Sequence, residues 1–147
     1  MFFMPLTVIT QEIYKDFSVS LDKKDWAVVC LCAEWCGTCR GYSKHFEEFA
    51  QRHGDKTVAW LDIEDNSELL GDLDIENFPT ILVQYKDIVV YFATVLPDIR
   101  QLDRLLASFV REDEAFLTKQ AQSSEERKQW QTEANLKILL RNALDQN

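Results

Sequence analysis

Residues 26–40 read Trp26-Ala27-Val28-Val29-Cys30-Leu31-Cys32-Ala33-Glu34-Trp35-Cys36-Gly37-Thr38-Cys39-Arg40, and this stretch decides the architecture. Trp26 to Cys32 is apolar without alternation, which predicts a central β-strand covered on both faces. After the Gly37-Thr38 turn, Tyr42, Phe46, Phe49, Ala50 and His53 recur at helical spacing and Gly54 follows, so a helix with one buried stripe starts near Cys36. The order is strand, turn, helix, with two cysteines at the junction.

Working outward, Leu6–Ile9 is a short apolar run, and Thr10 is placed to cap a helix through about Leu21. Val58–Asp62 predicts a third strand and Asn66–Leu73 a short helix, while Thr80–Tyr85 and Ile88–Phe92 form a hairpin joined by Lys86-Asp87. Pro97 suits the first position of a helix whose apolar face is Ile99, Leu102, Leu105, Leu106, Phe109 and Val110. This order predicts an α/β fold, a mixed central sheet flanked by helices. We therefore expect one domain over residues 1–110 and a helical extension over 111–147, where only helix signals remain. In the extension, Ser123 and Glu126 make a capping box for a helix carrying Trp130, Ala134, Leu136, Ile138, Leu139, Leu140, Ala143 and Leu144. So apolar a face needs cover. An added layer on the domain is expected, with a dimer or partner contact through residues 123–147 as the alternative.

Composition limits the function. The 147 residues carry 16 Lys+Arg against 25 Asp+Glu, a formal charge of −9, and 46% are hydrophobic, the balance of a globular chain and not of a disordered one. No basic run exceeds a pair (Lys23-Lys24, Arg127-Lys128), so nucleic acid is not an expected partner. No window approaches 18 consecutive apolar residues, which argues against a membrane span. Met1–Pro5 are apolar, but the first basic side chain is Lys15, so a secretory leader is not expected and a cytoplasmic location is. In a reducing compartment, four cysteines within ten residues point to catalysis or metal binding more than to a disulfide framework.

The spacing at Cys36 and Cys39 has a chemical rationale. A sulfur at a helix N-terminus faces unpaired N–H groups and the positive end of the macrodipole, both of which favour the nucleophilic thiolate. A second sulfur one turn further on can attack a mixed disulfide made by the first, releasing the reduced substrate. Gly37 lets a substrate backbone approach, and Trp35 offers an apolar rim. A metal site using all four cysteines is disfavoured, because Cys30 and Cys32 share one strand face and point beneath the helix. No metal or cofactor is expected. Cys30 and Cys32 read as small buried hydrophobes, with Cys30 alternatively an auxiliary thiol that pairs with Cys39 under oxidation. His45 and His53 read as structural or surface groups.

The run Ala33-Glu34-Trp35-Cys36-Gly37-Thr38-Cys39-Arg40, the Leu61-Asp62-Ile63-Glu64-Asp65-Asn66 run, and Phe78-Pro79-Thr80 together resemble the thioredoxin family over about residues 5–110. The resemblance implies a thioredoxin-like fold and a thiol–disulfide oxidoreductase. It makes Cys36 the attacking thiol, Cys39 the resolving thiol, and Pro79 a cis-proline facing them, so that Trp35, Gly37, Thr38, Phe78, Pro79 and Thr80 form the substrate-binding surface. The implied partners are proteins containing disulfides and an external reductant, a flavin-dependent thioredoxin reductase or a small thiol. A rival reading is a thioredoxin-like adaptor with weakened redox chemistry that recruits a partner through its tail.

Departures from the family pattern bear on the chemistry. Cys30 stands where a buried acid is usual, and Trp60 where its lysine partner is usual, so the proton relay to the resolving thiol is missing. Val95 and Asp87 replace glycines, and Val95 adjoins the expected substrate groove. Thr38 replaces a proline between the cysteines and restores an amide N–H beside the thiolate. That N–H should stabilise the reduced state, making the Cys36/Cys39 couple more oxidising than the value of about −270 mV typical of thioredoxin. Equilibration with glutathione measures this, and an equal or lower potential contradicts it.

Overall fold

A computed structural model describes residues 6–145. The Met1–Pro5 lead, on which the expectation of no secretory leader rests, lies outside the described residues. Five strands form one sheet: β1 (Leu6–Ile9), β2 (Trp26–Cys32), β3 (Thr57–Asp62), β4 (Thr80–Tyr85) and β5 (Ile88–Thr94), in the order β1-β3-β2-β4-β5. The β1–β3 and β3–β2 pairs are parallel, while β2–β4 and β4–β5 are antiparallel. The sheet is mixed, as expected, and β2 is its middle strand.

Strand parity sorts β2 between two cores. Ala27, Val29 and Leu31 enter one cluster with Phe17 and Leu21 of α1 (Tyr14–Leu21) and Leu69 of α3 (Ser67–Leu70). Val28, Cys30 and Cys32 enter the other with Tyr42, Phe46 and Phe49 of α2 (Gly37–Arg52) and Leu102 and Leu106 of α4 (Ile99–Val110). Cover on both faces explains why β2 is apolar throughout. At the far end of α2, the Asp103 carboxylate accepts from Arg52 at 2.6 Å and lies 3.0 Å from His53 Nε2, tying α2 to α4. His53 is thereby structural, and His45 is exposed.

Several local expectations shift. Thr10 precedes a single 3-10 turn (Gln11–Ile13) and makes no side-chain cap. Helix α3 covers only Ser67–Leu70 of the expected Asn66–Leu73 stretch, ending at Gly71 with φ +58°. Pro97 lies before the cap of α4 instead of inside the helix, because Asp98 accepts from the Arg100 N–H and takes the capping role. Asp113 likewise caps α5 (Glu114–Ala121), a separate helix that carries Phe116 and Leu117. Ser124, not Ser123, caps the next helix, since its hydroxyl accepts from Arg127. The single tail helix is in fact two, α6 (Glu125–Glu133) and α7 (Leu136–Asp145), broken at Ala134-Asn135.

The break has a cause in tertiary hydrogen bonding. Gln84, buried on β4 beside a register shift, accepts from the Leu136 N–H at 2.8 Å and donates to Asn135 Oδ1 at 3.0 Å. Asn135 donates to Asp87 O and accepts from the Lys137 N–H, so it caps α7 while gripping the hairpin. Gln131 of α6 meets the outer edge of β5 as a strand backbone would: its amide donates to Val89 O and its carbonyl accepts from Val89 N–H, both at 2.9 Å. This covers an edge that otherwise offers unpaired groups.

The extension therefore wraps from one face of the sheet to the other. Leu117 of α5 joins the α2/α4 cluster, and α6 crosses β5 with Trp130 near Tyr91. Leu136, Leu140 and Ala143 of α7 then join the α1/α3 cluster. Burial of each of those leucines contributes about 1.5–3 kcal/mol. The apolar tail face is covered by the domain itself, the added-layer expectation. Replacing Gln84 with Ala strands the buried Leu136 N–H and should lower stability by about 1–3 kcal/mol. Urea unfolding checks this; an unchanged midpoint would mean the network contributes nothing.

Candidate active site

The turn between β2 and α2 is built by backbone geometry and one carboxylate. Cys36 is the N-cap of α2 in an extended conformation (φ −84°, ψ 118°), and its carbonyl accepts the first helical bond from Arg40 N–H at 3.1 Å. Its own N–H donates to Ala33 O, and Arg40 reaches back to Glu34 O at 2.8 Å. Asp62, at the end of β3, accepts from the Glu34 and Glu64 N–H groups, both at 2.9 Å, and so locks the approach to the turn. The Cys36 thiol ends up half-buried at a helix N-terminus, the setting expected for it.

Facing this turn is the segment that opens β4. The Phe78–Pro79 peptide is cis. Pro79 and Thr80 are buried, Pro79 O accepts from Val95 N–H at 3.0 Å, and the Thr80 hydroxyl donates to Asn77 O at 2.7 Å. Trp35, 61% exposed, sets its ring edge-on to Phe78 with centroids 5.6 Å apart. Thus Trp35, Cys36 and the Phe78-Pro79-Thr80 segment meet at one end of the sheet. Gly37 and Thr38 lie exposed in the first turn of α2. A Cβ at Gly37 would meet only the flexible tip of Arg40, at 3.6 Å, so nothing within the chain demands glycine there.

The sulfur pairing differs from the expectation. Cys39 is joined by a disulfide to Cys32, leaving Cys36 and Cys30 as free thiols. The resemblance implied a Cys36–Cys39 bond and the auxiliary reading a Cys30–Cys39 bond; the structure holds neither. The physical reason is strand spacing. Cys32 ends β2 directly beneath the first turn of α2, its Cα 5.8 Å from that of Cys39. Cys30, on the same face, lies two residues deeper, about 6.6 Å further from the turn at 3.3 Å per residue. Cys30 Sγ is instead 3.7 Å from Cys32 Sγ. Sequence reasoning missed Cys32, although its parity with Cys30 and its place at the strand end were the available signal.

Beneath the turn the environment is apolar. Cys30 stands opposite Trp60 in the β2–β3 register, and Trp60 packs on Phe46 with centroids 5.9 Å apart. No acid–lysine pair occupies these positions. A recess bounded by Val8, Ala33, Cys39, Arg40 and Trp60 opens beside Cys39, with the carboxylates of Glu34, Asp62 and Asp65 on its wall. Burial pushes the Cys30 thiol well above its ordinary value, and it pushes the Tyr42 hydroxyl up too, with a smaller contribution from Cys30. Among the described residues no three His, Cys, Asp or Glu side chains converge to hold a metal ion.

With this geometry in view, the comparisons with known proteins are unambiguous about kinship. The family model described as Thioredoxin matches residues 7–102, so the chain belongs to the thioredoxin family. The thioredoxin of Alicyclobacillus acidocaldarius subsp. acidocaldarius is 42% identical over 57 residues, covering 38% of this chain and 54% of that protein. That of Mycoplasmoides gallisepticum is 34% identical over 74 residues, covering 50% and 72%. The chain thus spans only about half the length of the first relative. Among solved structures, a poplar thioredoxin h matches with a TM-score of 0.65 at 15% identity, covering 74% of this chain and 99% of that one. A thioredoxin variant from Halobacterium salinarum gives 0.62 at 21%, covering 77% and 98%. These structures share the fold; helices α5–α7 lie beyond the family match.

The buried Cys30 thiol links stability to pH. In the folded chain it keeps its proton above the usual thiol range, whereas the unfolded chain releases it from about pH 8.5. Stability contributed below that pH is therefore lost as pH rises, by up to about 1.4 kcal/mol per pH unit. Urea unfolding of the oxidised protein between pH 7 and 10 should show this decline, and Cys30→Ala should flatten it. Parallel curves for the two proteins would refute the assignment.

Proposed function

We propose that the protein is a thiol–disulfide oxidoreductase acting on protein disulfides, with Cys36 as nucleophile and Cys39 as resolving thiol. One observation carries this reading: a half-exposed thiol stands at the N-cap position of α2 while a buried sulfur sits in the first turn of the same helix. The Cys36 thiolate attacks one sulfur of a substrate disulfide, and the other sulfur leaves as a thiolate and takes up a proton. Cys39, as a thiolate, then attacks Cys36 Sγ, which releases the second substrate sulfur and leaves a disulfide within the chain. An external reductant must open that bond to restart the cycle. The substrate segment lies along Phe78-Pro79-Thr80, against the exposed Trp35 ring.

Membership of the thioredoxin family supports the reaction class. A thioredoxin f2 that shares the fold is known in complex with a ferredoxin:thioredoxin reductase, which is in keeping with a reductase as electron donor here. A small thiol serves the same chemistry. No helix among the described residues is long and apolar enough to cross a membrane. A cytoplasmic location is part of the proposed role. Substrate disulfides, reductase and maintenance of the cellular thiol balance form one consistent role. The adaptor alternative needs a free apolar tail face, but Leu136, Leu140 and Ala143 are buried in the domain's own core.

Reduction of insulin disulfides by dithiothreitol, followed as turbidity, tests the reading. Wild type should accelerate it, and Cys36→Ser should abolish the acceleration. Cys39→Ser should accumulate mixed disulfides with proteins from a cell extract that dithiothreitol releases. Equal activity of wild type and Cys36→Ser would overturn the assignment.

A further inference from the structure

Beneath the two cysteines of the proposed reaction lies a third that the reaction does not use. Cys32 ends β2, is fully buried, and is bonded to Cys39, whose side chain is 1% exposed. Cys39 is thus within bonding reach of a sulfur on its inner side, while Cys36 stands free and half-exposed at the cap of the same helix. The Cα separation of 5.8 Å falls inside the range that disulfides adopt without backbone movement. Cys30 lies behind Cys32 at 3.7 Å, two residues further along β2 from the turn, so it is the poorer competitor for Cys39.

We propose that Cys32 is a second, inner partner for Cys39, so that the disulfide formed at the surface moves inward and switches the site from turnover to retention of its substrate. The proposal rests on the preceding reading, because it starts from a Cys36–Cys39 disulfide. The Cys32 thiol loses its proton and attacks Cys39 Sγ. The Cys32–Cys39 bond forms, the Cys36–Cys39 bond breaks, and Cys36 departs as a thiolate that can accept that proton. One disulfide is present before and after, so no oxidant or reductant is consumed.

Two consequences follow from burial. With both sulfurs out of solvent, the inner disulfide is closed to a bulky reductant and reopens by attack of Cys36 on Cys39, the reverse step. Meanwhile Cys36 is again a free nucleophile, but its resolving partner is occupied. A mixed disulfide that Cys36 forms in this state persists instead of being resolved. The inner bond would hold a substrate on an oxidised chain and release it when a small thiol reduces the Cys32–Cys39 bond and frees Cys39 to resolve the mixed disulfide.

The mapping experiment uses the full-length protein. It is oxidised with diamide, its accessible thiols are blocked with N-ethylmaleimide, and it is then denatured and its remaining thiols labelled with iodoacetamide. Trypsin frees residues 25–40 as one peptide holding all four cysteines, and cleavage after Glu34 divides it into 25–34 and 35–40. A Cys36–Cys39 bond stays inside 35–40, whereas a bond from Cys32 ties the two pieces together. The expected result is linked peptides with maleimide on Cys36, in wild type and in Cys30→Ser, and loss of the link in Cys32→Ser. A closed 35–40 peptide with Cys32 labelled only after denaturation would overturn the proposal. So would a link that Cys30→Ser removes and Cys32→Ser keeps. Insulin reduction by an untreated sample of the same wild-type protein separates the two readings: activity without the link sinks only the inward transfer, and absence of activity sinks the oxidoreductase itself.

Discussion

Everything at the site depends on how α2 is seated over β2. The helix lies on the strand face that carries Val28, Cys30 and Cys32, and its own stripe of Cys39, Tyr42, Phe46 and Phe49 fills the space between. That packing sets where the helix begins. Because it begins at Cys36, one sulfur is left at the capped end, half in solvent, and the next is carried inward by a single turn. Asp62 adds the remaining constraint, since its carboxylate fixes the Glu34 N–H and thus the path of the chain into the turn. Chemistry at the surface and sulfur pairing in the interior are two results of one helix–strand contact.

The second cysteine is the pivot of this arrangement. Cys39 has a neighbour on the solvent side at the helix cap and another on the core side at the strand end. The outer sulfur stands at a helix start, half in solvent, whereas burial disfavours charge on Cys30 within. Where the family pattern has an acid and a lysine beneath the resolving thiol, this chain has a thiol and an indole. The polar relay is thus replaced by a buried, apolar, sulfur-lined layer. The carboxylates of Glu34, Asp62 and Asp65 line the recess beside Cys39.

The helices after the family match are part of the same folded body. Gln84 and Asn135 join β4 to the start of α7, and Gln131 satisfies the exposed edge of β5. Each is a polar group placed where the backbone would otherwise lose a partner, and that requirement decides the path of the tail. It keeps the tail off the end of the sheet where Trp35 stands exposed, because α5–α7 pack against β5, α1 and α3.

What the sequence determined by itself was the order of elements, the central strand, and the site as a linear motif. Period and composition carry that information locally: an unbroken apolar run for β2, a helical stripe after Thr38, and turn residues between the strands of the hairpin. Phe78-Pro79-Thr80 was legible too, though only through resemblance. Helix boundaries were less so, since Asp98, Asp113 and Ser124 won their capping positions over nearby candidates through geometry that no spacing rule ranks. Only the tertiary structure decided that Cys39 bonds to Cys32, that the tail is broken at Asn135, and that α7 completes the α1/α3 core. Each of these pairs groups separated along the chain or on different elements. Which sulfur lies under a helix turn, or which carbonyl meets a helix N–H, follows from how elements stack in space, and sequence periodicity encodes faces without encoding their offsets.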